Sequence, residues 1–296
     1  MDSEILIGII TRDRPEQLFD LLDGLESQVA RELIDIVVVD NDPSGSASAV
    51  VERMKNRLAV QYVVEPRPGV AHARNCVLQV ARSYDALVFL DDDEEVTEGW
   101  LRALLAAHRR DPHSVITGLV KYRLPDTTPG WIVDGGFFER PDHPDGATLS
   151  STGTGNTLIP MSSLKRLTDP QFDTAFSLSG GEDTDFFGRL AAVGVKIVWA
   201  RGAVVLENVS PERATWEWLT QRYERTGNVH ARIALRDHSA VTVYAMGATR
   251  IAVGWLRWCA RRTVAKDVRV RDIATFFAGK GYIRAARGQE IEVYGE

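Results

Sequence analysis

Apolar and polar positions along the first 110 or so residues fall into blocks whose period switches between strand-like and helix-like. Ile5 to Ile10 is an almost unbroken apolar, β-branched run, the pattern of a strand covered on both faces. After Thr11-Arg12-Asp13-Arg14-Pro15, Leu18, Leu21, Leu22 and Leu25 recur at helical spacing. Asp13 with Glu16 predicts a capping box there, and Pro15 suits a first helical turn. Ile34 to Val39 predicts a second buried strand, ending in Asp40-Asn41-Asp42-Pro43. Ala47, Val50, Val51, Met54 and Leu58 then mark one face of a second helix. Val60 to Val64 predicts a third strand, Gly69 to Ala81 a third helix, and Leu87 to Leu90 a fourth strand that runs into Asp91-Asp92-Asp93. Trp100 to Arg109 predicts a fourth helix.

Strands alternating with helices of this length imply βαβ units and a mostly parallel sheet flanked by helices. Crossovers in such sheets are right-handed, so the carboxyl ends of successive strands gather on one edge, where ligands bind. Thr11, Asp40 and Asp91 to Asp93 each stand just past a predicted strand, and the topology alone is expected to bring them together. From Leu124 to Thr157 the chain is rich in Pro, Gly, Asp and Thr and predicts long loops over that edge. Gly180-Gly181-Glu182-Asp183-Thr184-Asp185 opens a helix carrying Phe186, Phe187, Leu190 and Val193. Lys196 to Trp199 and Ala203 to Leu206 predict two more strands, and from Ala214 onward the chain is mainly helical.

Composition narrows the picture without changing it. Of 296 residues, 44% are apolar and 26% charged, ordinary for a globular protein, and the length suits one large domain or two small ones. The net charge of −6 provides no basic field for nucleic acid. The 2 cysteines, Cys76 and Cys259, form neither a disulfide framework nor a zinc spacing and fit a reducing compartment. The start has no signal-peptide pattern and no stretch reaches bilayer length, which predicts a cytoplasmic protein.

Several groups offer chemistry. Adjacent carboxylates at Asp91-Asp92-Asp93 repel one another unless a cation lies between them, and such oxygen ligands suit Mg²⁺ or Mn²⁺ bridging to phosphate. The bland alternative is a solvated acidic turn, and the position after a buried strand favours the functional reading. Asp40 can hold a base or ribose, or close an Asx turn, which Asp-Asn-Asp-Pro-Ser supports by itself. Arg74, early in the third helix, can reach a base or diphosphate. His72 and Cys76 read better as packing residues. Glu182-Asp183 offers a general base, against the alternative that acidic residues favour helix N-termini for dipole reasons. No Gly-x-Gly-x-x-Gly follows the first strand, and no Walker A loop or Gly-x-Ser-x-Gly elbow occurs.

Taken in order, these segments resemble the family 2 glycosyltransferases of the GT-A fold. The likeness runs from Ile5 to about Gly227. It comprises Thr11-Arg12-Asp13-Arg14, Val39-Asp40-Asn41, Gly69 with Ala73-Arg74-Asn75, the Asp91-Asp92-Asp93 form of the Asp-x-Asp motif, Gly155-Asn156, Gly181 to Phe186 and Pro211-Glu212-Arg213. The resemblance implies an inverting transfer from a nucleoside-diphosphate sugar to an acceptor hydroxyl. By the same resemblance Thr11 and Asp40 hold the nucleoside, with Arg12 and Arg14 beside them, and Arg74 meets base or diphosphate. Asp91 and Asp92 face ribose and sugar, Asp93 coordinates Mn²⁺ or Mg²⁺ with Asp91 and Glu207, and Asp183 is the base, with Glu182 its rival. Asp13 stands where relatives commonly have Asn. Glu207-Asn208 stands where they often carry a metal-reaching His.

The expected organisation is a catalytic domain over 1–212, divided into a nucleotide-binding half, 1–110, and an acceptor half, 111–212, followed by a helical region, 213–296. Ile251, Trp255, Trp258 and Cys259 share a stripe with Arg250, Arg257, Arg261 and Arg262 nearby. That pattern fits either a helix packed on the catalytic domain or an interfacial helix at the inner face of a membrane. Expected partners are the sugar nucleotide and a saccharide, lipid-linked or small-molecule acceptor, with no nucleic acid. A homodimer and peripheral membrane contact stay open. A sugar nucleotidyltransferase is the alternative enzyme, though it wants a Gly-rich basic loop after the first strand. A non-catalytic sugar-nucleotide binder is the third reading.

Overall fold

The β-branched apolar runs pair as the pattern requires. The computed structural model describes residues 4–29, 34–264 and 269–292. It begins with β1 (Ile5–Thr11), α1 (Pro15–Val29), β2 (Ile34–Asp40), α2 (Ser48–Met54), β3 (Val60–Val64), α3 (Val70–Val80), β4 (Ala86–Asp91), β5 (Glu94–Val96) and α4 (Trp100–Arg110). It continues through β6 (Val115–Arg123), α5 (Gly130–Asp134), β7 (Thr148–Leu149), β8 (Thr157–Pro160), α6 (Met161–Leu164), α7 (Glu182–Ala192) and β9 (Ile197–Asn208). Three long helices follow: α8 (Trp216–Ala234), α9 (Ala240–Val264) and α10 (Val270–Ala286).

The sheet runs β3-β2-β1-β4-β8-β6-β9-β5, with β7 on β9. β1, β2, β3 and β4 are mutually parallel, and β6 and β9 run the same way, while β8, β5 and β7 are opposed. Helices cover both faces, as strands apolar on both sides demand. On one face α1, α2 and α4 bury Leu18, Leu22, Met54 and Trp100 against Ile7, Ile36 and Val88. On the other, α3 and α7 bury Val77, Phe186 and Phe187 with Val37, Leu87 and Phe89.

Several local expectations are corrected. The helix after β1 starts at Pro15, and Arg14 carbonyl accepts the first helical bond, from Leu18 N. Asp13 has φ 54° and its amide donates to Ser46 Oγ, so it cannot cap that helix with Glu16. The two strands expected at 196–206 are one strand, β9. Its register against β6 shifts between Thr117 and Leu119, so the gap between the two expected strands is a bulge inside one strand. The sheet also gains β5, β6 and β8, which periodicity did not single out. β5 spans only Glu94–Val96 and is polar, β8 is four residues ending in Pro, and Gly118 interrupts β6. That glycine is needed: a Cβ there would stand 2.0 Å from Ala203 carbonyl oxygen on β9.

The three C-terminal helices pack through close approaches. A Cβ on Gly281 of α10 would meet Glu224 carbonyl oxygen of α8 at 1.9 Å. α8 is bound to α7 and the loop before it, since Arg232 Nη1 donates to Ser179 Oγ at 2.7 Å and Arg236 pairs with Asp185 and, at 2.7 Å, with Asp173. α8 is thereby fixed as a wall beside the sheet edge. The stripe on α9 packs chiefly against α10, with Ile251 and Gly254 turned to Gly279 and Phe276. Trp255 and Trp258 stay 53% and 36% exposed, and the side chain of Arg262 lies outside the described residues.

Candidate active site

The parallel register brings the predicted residues to one edge. Thr11 of β1 pairs with Asp40 of β2, and Ile10 pairs with Asp91 of β4. Beyond these ends opens a cleft of about 540 Å³, lined by Thr11, Arg12, Arg14, Asn41, Arg74 and all three adjacent aspartates. Of the predicted donor-side residues only Asp40 lies off its wall.

Asp92 turns back into the protein. It accepts from Thr11 Oγ1 at 2.8 Å and from Arg14 Nη1 at 3.0 Å. Burial pushes its carboxyl up to about 6, with Arg14 opposing the rise and Asp93 adding to it. Asp93 accepts from Arg14 at 3.1 Å and lies 3.8 Å from Arg213 Nη1. Arg213 also donates to Glu207 Oε1 at 3.2 Å and so bridges Asp93 to Glu207. Burial, then repulsion from Asp93 and Asp91, raises Glu207 to about 7. Asp91 accepts weakly from Arg74 Nη2 at 3.4 Å, and its amide donates to Glu94 Oε2 at 3.1 Å. Burial raises Asp91, Arg74 counters it, and Asp93 and Asp183 add repulsion; 40% of its side chain faces the cleft, so water moderates the shift. Burial, then Asp91, drives Glu94 well above the carboxylate range. Asp91, Asp93, Glu94 and Glu207 thus repel one another at one place, and Arg14, Arg74, Arg140 and Arg213 offset part of that repulsion.

Asp40 belongs to the packing behind the cleft rather than to its lining. Its carboxylate is fully buried and accepts from Ala47 N at 2.8 Å, Asp42 N at 3.0 Å and Tyr62 Oη at 2.7 Å. The Asx-turn alternative therefore describes its contacts, and the neighbouring Asn41, itself buried, is the residue that borders the cleft. Asn41 Nδ2 donates to the carbonyls of Glu65 and Arg67, and its Oδ1 accepts from Gly69 N at 2.9 Å, which fastens the segment entering α3.

A second cavity, of about 390 Å³, adjoins the first. Its floor holds Gly153, Gly155, Glu182 and Asp183. A Cβ on Gly155 would stand 2.6 Å from Glu94 Oε1 and 3.2 Å from Asp91 Oδ2, so a side chain there would displace those carboxylates. Asn156, at φ 56° and fully buried, accepts from Trp100 Nε1 at 2.7 Å and donates to Leu119 and Ala203 carbonyls; it locks β6, β9 and α4 together. Gly181, at φ 93°, turns the chain into α7, and a Cβ there would meet Val229 of α8 at 2.2 Å. Asp183 Oδ1 accepts from Thr184 N at 2.6 Å, and Oδ2 lies over Gly153. Glu182 is buried and ion-paired with Arg74.

Arg74, Asp91, Glu207, Arg222 and Arg225 line both cavities. Arg222, Arg225, Trp218 and Arg140 were not singled out from sequence, and Arg213 was noted only as part of Pro211-Glu212-Arg213. They reach the site because α8 and the 124–157 loops fold back over the sheet edge. The legible signal was the basic spacing of Arg222 and Arg225 on one helical face, three residues apart. Tyr122 and Phe138 complete the rim, with Arg140 Nη2 donating to Tyr122 Oη at 2.7 Å and Phe138 stacked on Trp218.

Among the described residues no group of three His, Cys, Asp or Glu side chains forms a ready metal cage. A divalent ion held through substrate phosphates requires only one or two protein carboxylates, and the mutually repelling Asp91, Asp93 and Glu207 supply that donor chemistry.

A sequence profile described as glycosyl transferase family 2 matches residues 6–168. The succinoglycan biosynthesis protein ExoM of Rhizobium meliloti (strain 1021) is 33% identical over 234 residues, 77% of this chain and 74% of that protein. Mannosyltransferase PcManGT from Pyrobaculum calidifontis, solved with GDP-Man and Mn²⁺, has a TM-score of 0.62 at 19% identity, over 97% of this chain and 87% of that one. S. aureus TarS 1–349, solved with UDP, has a TM-score of 0.59 at 16% identity, over 97% and 92%. A longer TarS chain is spanned to 55% of its length. The fold is the GT-A arrangement of these structures, with a helical C-terminal part.

Proposed function

The chain belongs to glycosyl transferase family 2, and from that premise we propose that it is an inverting enzyme, moving a hexosyl or deoxyhexosyl group from a nucleoside-diphosphate sugar to a hydroxyl of a growing saccharide. Family membership removes the nucleotidyltransferase alternative and makes the chain a glycosyltransferase. One observation carries the finer reading: two cavities meet at Asp91, Asp93 opens only into the first, and Asp183 only into the second. Leaving diphosphate and incoming acceptor then lie on opposite sides of one sugar, as inversion by direct displacement requires.

In this reading the donor lies in the larger cleft, its diphosphate toward Asp93 and its sugar at Asp91. Thr11 and Arg14 hold Asp92 and shape the wall. Asp93, with Asp91 and Glu207, is assigned to Mn²⁺ or Mg²⁺, which when bound supplies Lewis-acid neutralisation of the leaving group. Asp183 Oδ2 takes the acceptor proton as the acceptor oxygen bonds to the anomeric carbon and the bond to diphosphate breaks. The relative named for succinoglycan biosynthesis supports a polysaccharide acceptor. The catalytic part is assigned to 1–212 and the helical part to 213–296.

Calorimetry with UDP, GDP and dTDP tests the donor reading. One of them is expected to bind with Mn²⁺ present and to lose about tenfold or more in affinity after chelation or in Asp93→Ala, the scale of one lost charge-assisted contact. Equal affinity with and without metal would count against the assignment of Asp93.

The helical part supports a membrane-surface reading. From Ala240 to Gly288 the sequence has ten basic residues and two acidic ones, within a chain of net charge −6. Trp255, Trp216 and Trp258 are exposed, and with Phe276 and Phe277 they line an apolar groove of the kind that enters a headgroup layer. No helix among the described residues is long and apolar enough to cross a membrane. The protein is expected to co-sediment with anionic vesicles, and Trp255→Ser with Trp258→Ser to reduce this in a folded protein. A wild type that never sediments ends the idea.

A further inference from the structure

We propose that Arg74 is a positioning residue that couples occupancy of the donor cleft to the placement of the Asp183 base through its buried ion pair with Glu182. The inference rests on the base assignment above. Arg74 projects from α3 into the partition between the two cavities. Its Nη1 pairs with Glu182 Oε1, and its Nη2 reaches Asp91 Oδ1 at 3.4 Å. The side chains of Arg74 and Glu182 are only 9% and 3% exposed, and 108 positions separate them in sequence.

A buried ion pair gives little net stability, because desolvation offsets attraction; its best-attested use is to fix register. Here the register fixed is that of the first turn of α7. Gly181 is pressed on Val229 of α8, so that turn is held from one side by the C-terminal helices and from the other by Arg74. Asp183 follows Glu182 directly and moves with it.

The pair is incompletely satisfied. Arg74 Nε and Glu182 Oε2 are both buried without a hydrogen-bond partner. One guanidinium serves two carboxylates, Glu182 firmly and Asp91 at the limit of a hydrogen bond. Occupancy of the donor cleft that draws Asp91 toward the ligand releases the Nη2 edge, and the guanidinium closes fully on Glu182. The base is then held most firmly when that cleft is filled.

Hydrogen exchange over 180–188 tests this with whichever of UDP, GDP or dTDP binds in the presence of Mn²⁺. In the wild type the ligand is expected to slow exchange there by about tenfold or more. At ligand concentrations that saturate each variant, Arg74→Met and Glu182→Gln are expected to lose that protection, and Arg74→Lys to recover part of it. Because either single change strands a buried charge, Arg74→Met with Glu182→Met is the folded control; it too is expected to bind without protecting the segment. Unchanged ligand-induced protection in Arg74→Met overturns the proposal. So does a loss of ligand affinity in Arg74→Met that Glu182→Gln does not share, which makes Arg74 a donor contact. If no nucleoside diphosphate binds the wild type, the donor reading falls, and the coupling falls with it.

Discussion

Asp183→Asn is expected to lower sugar transfer by about two to four orders of magnitude, the usual scale for loss of a general base, while nucleoside diphosphate affinity stays near that of the wild type. The substitution keeps shape. The remaining amide oxygen still accepts from Thr184 N, which Asp183 Oδ1 holds at 2.6 Å. What is lost is basicity at the position over Gly153, inside the second cavity. Loss of an interaction used in the transition state and absent from donor binding lowers kcat and leaves the donor Kd alone. Glu182 was the rival for the role. Its carboxylate is buried and ion-paired with Arg74, so Glu182→Gln acts through that pair. The measurement is nucleoside diphosphate release in the presence of acceptor. Near-normal transfer by Asp183→Asn together with an inactive Glu182→Gln would move the base one residue back.

The sequence made the nucleotide-side half of the sheet legible because its strands are apolar on both faces and regularly separated by helices. β1, β2 and β4 follow the expected runs to within a residue or two, and their ends carry Thr11, Asp40 and Asp91. The other half was less legible. β5, β6 and β8 are short, polar or broken by Gly118, and what holds them is Asn156, whose side chain bonds to Trp100, Leu119 and Ala203. Gly155-Asn156 was recognised as a motif by resemblance, but its work is visible only in space. Asp93, Glu207 and Asp183 were named from sequence, and the structure gathers them about Asp91. The cations that share their space, Arg213, Arg222 and Arg225, come from α8 and its approach, which no strand-end argument reaches. Direction was the other illegible quantity. Thr11, Asp40 and Asp92 stand where expected, yet each turns its polar atoms into the protein. A pattern fixes which residues reach an edge, and packing decides which of them face the opening.

Asp40→Ala is accordingly expected to act on stability. The buried carboxylate takes hydrogen bonds from two backbone amides and the Tyr62 hydroxyl at 2.7–3.0 Å. It ties the turn after β2 to the start of α2 and to β3. Truncation strands those donors out of reach of water, and each buried unsatisfied group costs on the order of 1–3 kcal/mol, so a total of about 2–5 kcal/mol is expected after local relaxation. Asp40→Asn keeps one acceptor oxygen but turns an amide toward the remaining donors, so it should fall between. Tyr62→Phe removes one bond and its donor together and should cost far less. Urea unfolding measures the loss as a lower midpoint at unchanged slope. The same variants decide the older question of the nucleoside. If Asp40→Ala leaves stability intact and selectively weakens nucleoside diphosphate binding, the side chain leaves its turn to meet the base, and the resemblance was the better guide. If stability falls while affinity measured on the folded fraction holds, the nucleoside is met by other residues that line the cleft.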